Sequence, residues 1–207
     1  GVVCAIGSCA IASGNCALAQ SEIVPDATLG AESSVVVPNF DDLPVEAIGG
    51  GAVRGQNLFH SFQKFNVSAG RGAYFFSPDA AIVNILARVT GTNPSAILGT
   101  LGTFGNSQPN LFLINPNGII FGQNASLDVG GSFVATTANA IRLGNTGLFS
   151  AAEPQTSNLL AINPSAFFYN QLSNQGQIVN RSTATTTVLG TPTSGLQVAD
   201  GRSLLLV

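Results

Sequence analysis

Residues 111–150 read LFLINPNGIIFGQNASLDVGGSFVATTANAIRLGNTGLFS and give the clearest indication of the fold class of this chain. Short apolar segments recur in it with starts 8, 6, 8 and 7 residues apart, and Gly, Asn or Ser fills most of the gaps. These segments are 119–121, 127–129, 133–135, 141–143 and 148–150. Short β-strands joined by tight turns are typical of such spacing. The stretch therefore predicts an all-β protein.

Two all-β architectures fit this spacing. Three consecutive segments take up 22 residues from Ile119 to Ile141 and 21 from Leu127 to Leu148, which is typical of one rung of a parallel β-helix. Because a rung cannot bury its inward side chains alone, such rungs must stack into a solenoid. An antiparallel sandwich also has short, evenly spaced strands, although it usually has longer strands and clearer hairpin turns. The spacing favours the solenoid and leaves the sandwich open.

The composition indicates how the surface is made. Charged residues are 8% of the 207 residues and hydrophobic residues are 45%, whereas soluble domains usually have roughly 25% charged residues. The surface must therefore consist mainly of Asn, Ser, Thr, Gln and Gly, whose side chains can form ladders between stacked strands. The net charge of −3 and the scattered Lys and Arg residues argue against nucleic-acid binding, which needs clustered positive charge.

The flanking sequence extends the same organisation. Residues 35–37, which end at Pro38, predict an edge or capping strand, and residues 58–67 and 73–76 predict further strands. The interruption at 154–168 predicts an excursion from the solenoid. Other expectations are a strand within 80–89, with or without a preceding helical turn, a short helical piece at 95–98, and a return of regular segments at 176–180 and 195–207. Since 204–207 is an apolar strand without a polar cap, we expect the solenoid to continue beyond Val207 in a longer protein.

Residues 1–19 differ from the remainder of the chain. They are small and apolar, contain Cys4, Cys9 and Cys16, and end in Ala-Leu-Ala, which predicts the C-terminal part of a signal peptide and a mature domain at 20–207. An N-terminal strand is the alternative, and Gly, Ser and Asn interruptions disfavour a membrane anchor. A mature chain without cysteine forms no disulfides in an oxidising periplasm, so it can stay unfolded for passage through a second membrane.

Residues 115–118, Asn-Pro-Asn-Gly, predict a tight corner between two buried strands. Pro116 presets φ near −65°, Asn117 tolerates the left-handed region, and Gly118 accepts a positive φ without strain. Apolar segments lie on both sides, at 111–114 and 119–121. These residues by themselves establish a structural turn and leave any further role open.

The wider sequence around this turn resembles the haemagglutination-activity, or two-partner secretion, domain of filamentous-haemagglutinin-like exoproteins. The resemblance rests on NPNGI, the FG that follows it, ASLDVGGSFVATT and ANAI. Upstream it extends through FHSFQKFNV at 59–67, AYFFSP at 73–78 and RVTGTNPSAILGTL at 88–101. It covers roughly residues 30–207, with several motifs in the order of the family.

The resemblance implies a fold and a function. The implied fold is a right-handed parallel β-helix with an N-terminal cap and extra-helical strands. The implied function is recognition by the POTRA domains of a dedicated outer-membrane β-barrel transporter, which directs export through the periplasm and outer membrane and nucleates folding of a secreted or cell-surface adhesin-like protein. We expect a monomer without cofactor, metal or stable membrane insertion. The matching motif residues are Asn115, Pro116, Asn117, Gly118 and Ile119.

The chain departs from the pattern of the family in one place. Some members carry a second motif, Asn-Pro-Asn-Leu, ahead of the segment that matches 81–89. This chain has Phe-Ser-Pro-Asp there, at 76–79, and the similar Gln-Pro-Asn-Leu at 108–111 lies in a different slot. The role of the second motif is therefore not transferred to this chain.

Two functions other than secretion are compatible with a β-solenoid. A polysaccharide-active enzyme needs clustered carboxylates, but only Asp41 and Asp42 are adjacent in the mature chain. We expect Asp128 to face outward from a strand and His60 to be structural. A receptor- or glycan-binding adhesin module would need an exposed patch, for which the aromatic residues at 167–169 are candidates. A lid over the solenoid is the competing interpretation of those aromatic residues.

Overall fold

The computed structural model describes residues 19–159, 161–169, 176–188 and 191–207. Apart from Ala19, the predicted signal segment and its three cysteines lie outside the described residues. In these described residues the secondary structure is almost entirely β, with short 3-10 segments at Gly30–Glu32 and Pro154–Thr156 and a tight turn at Phe40–Asp42. The prediction of an all-β protein is confirmed. No helix among the described residues is long and apolar enough to cross a membrane.

The strands are short and follow one another closely along the chain. Their bounds are β1 (Glu22–Pro25), β2 (Ser34–Val37), β3 (Val45–Gly50), β4 (Ala52–Arg54), β5 (Asn57–Asn66), β6 (Gly72–Ser77), β7 (Asn84–Val89), β8 (Ser95–Ile97), β9 (Thr100–Gly105), β10 (Asn110–Ile114), β11 (Ile119–Phe121), β12 (Ser126–Asp128), β13 (Phe133–Thr136), β14 (Ala140–Leu143), β15 (Gly147–Ser150), β16 (Pro164–Phe168), β17 (Ile178–Asn180), β18 (Thr185–Val188), β19 (Thr191–Ser194) and β20 (Leu204–Leu206).

Parallel pairing between successive rungs makes the molecule a β-solenoid with three faces. Sheet A contains β5, β7, β10, β13 and β20, sheet B contains β3, β6, β9 and β12, and sheet C contains β8, β11 and β17, all in parallel pairs. Antiparallel strands extend two of these sheets, because β1 and β4 flank β5 and β2 flanks β3. The solenoid prediction is confirmed, and the antiparallel sandwich is excluded by the parallel pairs.

The register places like residues above one another. One column of the core runs through Leu58, Ile85, Leu111, Phe133 and Leu204, which pair successively along sheet A. The first four are fully buried, and full burial of one such side chain contributes about 1.5–3 kcal/mol. Stacking thus supplies the core that a single rung lacks.

An asparagine ladder marks the start of sheet A. The side-chain amide of Asn84 donates to Asn57 Oδ1 (2.9 Å), and that of Asn110 donates to Asn84 Oδ1 (3.0 Å). The next rung has Ser132, whose backbone N–H donates to Asn110 Oδ1 (2.9 Å). The amide ladder expected from the uncharged polar composition is therefore present.

The predicted rung assignment of 141–143 and 148–150 is wrong. These segments are β14 and β15, an antiparallel hairpin that joins β16 in a separate three-stranded sheet. Gly144, with φ of 61°, follows β14 directly and helps to reverse the chain. The spacing of apolar segments is the same for a hairpin as for two rung sides, which is why the spacing did not separate them. The excursion predicted at 154–168 is present and begins earlier, at Ala140.

The hairpin and β16 cover the outer face of sheet A. This creates a second apolar cluster, which is separate from the core inside the solenoid. Its fully buried members from sheet A and from the hairpin sheet are Phe59, Leu86, Ile114, Ile141, Leu143 and Phe149.

Three local expectations have different outcomes. Residues 35–37 lie in β2, the edge strand of sheet B, as predicted. The strand expected within 80–89 is β7. The helical piece predicted at 95–98 is wrong, since 95–97 form β8 in parallel pairing with β11. Hydrogen bonds to the neighbouring rung overrode the local turn signal there.

Candidate functional site

The motif residues Asn115 to Ile119 lie at the corner between sheet A and sheet C, where β10 ends and β11 begins. The N–H of Gly118 donates to the carbonyl of Asn115 (3.1 Å), which closes the turn. Gly118 has φ of 118°, as the sequence predicted. Asn117 does not use the left-handed region, because the positive φ angles outside glycine in the described part of the chain belong to Asn39, Asp41 and Asp42.

Asn115 is fully buried and uses the whole hydrogen-bonding capacity of its amide. Its Nδ2 donates to the carbonyl of Asn93 and to Ser95 Oγ, both at 3.0 Å. Its Oδ1 accepts from the backbone N–H of Asn117 (3.0 Å) and from Asn117 Nδ2 (3.3 Å). One side chain therefore fixes its own turn and joins it to the corner of the preceding rung.

The turn is stacked between two other corners. On one side, the N–H of Ser95 donates to the carbonyl of Gly118 (3.0 Å). On the other side, the N–H of Gly176 donates to Pro116 O and the N–H of Ile119 donates to Gln177 O, both at 3.0 Å. A side chain on Gly176 would overlap the backbone of Asn117 and Gly118. The corner is consequently rigid, with its backbone held from both sides.

The folded domain exposes only part of the motif. Asn115, Gly118 and Ile119 are buried, Pro116 is partly buried and Asn117 is exposed. The amide of this exposed residue donates from Nδ2 to the carbonyl of Gly91 (2.7 Å). In the folded state the corner thus offers a proline ring and one amide, whereas an unfolded chain would offer all five residues.

The segment that replaces the second family motif also forms a turn. Asp79 Oδ1 accepts from the N–H of Ala81 (2.8 Å), and the carbonyl of Asp79 accepts from the N–H of Ile82 (3.1 Å). Asp is suited to this arrangement because its side chain mimics a turn in the backbone. The similar motif at 108–111 has a different role, since Asn110 belongs to the asparagine ladder.

The residues weighed for catalysis do not come together. His60 is fully buried, its Nδ1 lies 3.0 Å from Ser34 Oγ, and burial lowers the pKa of His60 to about 3. Asp128 faces outward, as predicted, and accepts a hydrogen bond from the hydroxyl of Tyr74 (3.0 Å). Burial is the main cause that raises the pKa of Tyr74, to about 12, and the charge of Asp128 adds to it. Among the described residues, no group of His, Cys, Asp or Glu side chains is placed to hold a metal ion.

Sequence reasoning missed the polar cluster around Arg88. This fully buried side chain donates from Nε to Ser61 Oγ (2.8 Å), from Nη1 to the carbonyl of Ser150 (2.7 Å), and from Nη2 to Thr28 Oγ1 (2.8 Å). Its guanidinium lies 4.6 Å from the ring centre of Phe149. Burial lowers the pKa of Arg88 to about 10, although the charge of nearby Asp26 opposes this shift. The sign of this cluster in the sequence was the single Arg within the apolar run at residues 80–89, AAIVNILARV.

The aromatic residues at 167–169 lie on and just after β16. Phe167 is partly buried against the second apolar cluster. Phe168 is exposed and lies 5.8 Å from the guanidinium of Arg142, and the hydroxyls of Tyr169 and Thr136 are 3.1 Å apart. These contacts favour the lid interpretation over an open adhesive patch.

Comparison with known protein families gives a match over most of this chain. The family model described as TPS secretion domain matches residues 21–207. The heme/hemopexin-binding protein of Haemophilus influenzae is 37% identical over 86 residues. That segment is 42% of this chain and 9% of the Haemophilus protein, so the chain spans only a small part of the length of this relative.

Proposed function

The chain belongs to the TPS secretion domain family, and we propose that a cognate outer-membrane transporter recognises it through POTRA domains in the periplasm. Its role is that of a secretion domain in two-partner secretion. On this proposal residues 20–207 form the secretion domain, residues 1–19 end its signal peptide, and the exported protein is released or held at the cell surface. The observation that carries the proposal is the family match over nearly the whole of 20–207.

Within this role, the Asn115 to Ile119 corner is our candidate for transporter recognition. A transporter would meet the chain unfolded, with all five residues accessible. An unfolded segment with β-prone sequence on both sides of the turn is suited to add as a strand to the edge of a periplasmic domain, where backbone hydrogen bonds provide affinity. The strands that flank the turn, β10 and β11, are of this kind.

After export, the same corner would assist folding. Parallel pairing between distant segments is slow to nucleate, because loop entropy is lost before the contacts form. The side chain of Asn115 links two successive corners, and the asparagine ladder links three successive rungs. These links support a nucleus on which later rungs are added.

The proposal assigns no catalytic, metal-binding or cofactor-binding activity to this domain. The related Haemophilus protein is named for binding heme and hemopexin, but the matched segment is 9% of that protein. We therefore propose that any binding of an external target belongs to other parts of the exported protein.

The test is transporter-dependent release of the chain into the medium, comparing Asn117→Ala with Asn124→Ala. Both asparagines are exposed and each lies in a corner turn, so neither change opens the core. Asn115→Ala is unsuitable alone, because leaving buried partners unsatisfied destabilises by about 1–3 kcal/mol for each group. We expect release to fall by about tenfold for Asn117→Ala and to stay unchanged for Asn124→Ala. Because Asn117→Ala also removes the hydrogen bonds from Nδ2 to Gly91 and Asn115, release is measured well below the unfolding temperatures of both purified variants. Equal release of the two variants would remove the corner from the recognition step.

A further inference from the structure

The outer face of sheet B carries an apolar groove that the secretion role does not use. We call it the sheet B groove, and it has a volume of about 480 Å³. The large side chains around it are unusually exposed for apolar residues, with Val35 at 53%, Val37 at 46%, Phe40 at 43% and Phe76 at 37%. The ring of Phe104 completes the aromatic side, 5.2 Å from Phe76 and 5.9 Å from Phe40 between ring centres.

One wall of the groove is an edge strand. β2 is the last strand of sheet B and pairs on one side with β3. Its side chains alternate, so Val36 packs against the core of the solenoid while Val35 and Val37 stand in the groove. Gly49, opposite Val35, keeps the floor open. A peptide that adds to the free edge of β2 lies on the side of β2 away from β3, and its alternate side chains contact Val35 and Val37 at the rim of the groove.

The aromatic wall is held in place from inside the solenoid. Phe40 lies in a turn whose neighbours Asn39, Asp41 and Asp42 all have positive φ, from 52° to 58°. Arg71 donates from Nη2 to Asn39 Oδ1 (2.8 Å) and forms a buried ion pair with Glu46. Strained backbone of this kind persists where the surrounding structure enforces it and is concentrated at functional sites.

The charges around the groove have one sign. Asp41 and Asp42 are exposed beside Phe40, and Asp79 is exposed just beyond the end of β6. Among the described residues, no strand of sheet B contains Lys or Arg. Two copies of this chain joined through β2 would offer these carboxylates no Lys or Arg from the described strands of sheet B. The groove is instead complementary to an apolar segment with basic residues.

We propose that β2, at the rim of the sheet B groove, binds an extended polypeptide segment that adds to it as a strand, with apolar side chains at alternate positions and Lys or Arg at the end next to the Phe40 turn. The backbone of the segment pairs with the free edge of β2, its apolar side chains contact Val35 and Val37, and its basic end meets Asp41 and Asp42. Binding at β2 goes beyond recognition at the Asn115 corner. The two proposals are independent, and each can be tested without the other.

The test is a titration of the isotope-labelled chain, followed by NMR, with two short synthetic peptides. In both peptides Val alternates with Thr, and the ends are Lys in one and Glu in the other. We expect saturable binding of the Lys-ended peptide, with shifts confined to β2, β3 and the Phe40 turn. We expect binding of the Glu-ended peptide to be weaker by about tenfold, with a difference that shrinks at high salt.

Matched variants distinguish binding at β2 from non-specific binding to exposed apolar residues. Val35→Ser with Val37→Ser removes two exposed groove side chains, and Val53→Ser removes an equally exposed valine on β4. We expect the groove variant to lose binding at an unchanged unfolding temperature and the β4 variant to bind normally. Three results would overturn the proposal: equal affinity for the two peptides, shifts centred elsewhere, or self-association through β2 without peptide. None of these results would alter transporter-dependent release.

Discussion

Asn115 and Asn117 are two positions apart in one turn, yet the folded domain uses their side chains differently. The residue types predicted the turn and the positive φ of Gly118, because Pro and Gly restrict the backbone locally. They did not predict that Asn115 would be buried with four hydrogen bonds, because its partners Asn93 and Ser95 belong to the neighbouring rung. Arg88 was missed for the same reason, since its partners come from distant segments.

His60, the single histidine of the chain, gives a pH dependence that can be assigned to one residue. Burial lowers its pKa to about 3 in the folded state, while the unfolded state has the usual value near 6.5. Below about pH 6.5 the unfolded chain therefore binds a proton that the folded chain does not. We expect the free energy of unfolding to fall as the pH falls, by up to about 1.4 kcal/mol for each unit.

The measurement is urea unfolding between about pH 5 and pH 7, above the range in which most carboxylates titrate. His60→Gln serves as the comparison because it removes the titrating ring and keeps a polar side chain. We expect the slope of stability against pH in this range to be nearly absent in the variant. The same slope in both proteins would show that another group is responsible.

At the scale of elements, hydrogen bonds between corners add to the strand pairing that holds successive rungs together. The sequence predicted most strands of the solenoid, since their apolar alternation is local. It did not distinguish β14 and β15 from rung sides, because the spacing of apolar segments carries no information on whether neighbours pair in parallel. Whether β14 and β15 form a hairpin or two sides of a rung depends on their pairing with β16 and on their packing against the outer face of sheet A.

Gly176 tests the importance of corner stacking. A methyl group there would overlap the backbone of Asn117 and Gly118, whereas Gly49, a strand glycine without positive φ, has open space at the same position. We expect Gly176→Ala to destabilise the domain by about 1–3 kcal/mol, as overpacking does. We expect Gly49→Ala to be neutral or slightly stabilising, because alanine lowers the entropy of the unfolded chain. Chemical unfolding of both variants measures this, and equal stabilities would contradict the tight stacking at residue 176.

At the scale of the whole molecule, Arg88 and Asp26 join parts of the chain that are distant in sequence. Asp26 accepts hydrogen bonds from Ser61 (2.9 Å) and Thr90 (2.6 Å), and Arg88 extends the cluster to Ser150 at the end of the hairpin. Burial tends to raise the pKa of Asp26, but these hydrogen bonds and those from Thr28 outweigh it and leave the pKa below its usual value. The solenoid, its N-terminal segment and its outer cover are thus tied together by polar contacts as well as by apolar packing.

The most direct test of the secretion role compares release of the chain, with its leader, from cells that contain or lack the cognate transporter. Periplasmic and medium fractions are measured in each strain. We expect folded chain in the medium only when the transporter is present, and chain retained or degraded in the periplasm when it is absent. Equal amounts in the medium of both strains would contradict the assignment of this domain to transporter-dependent secretion.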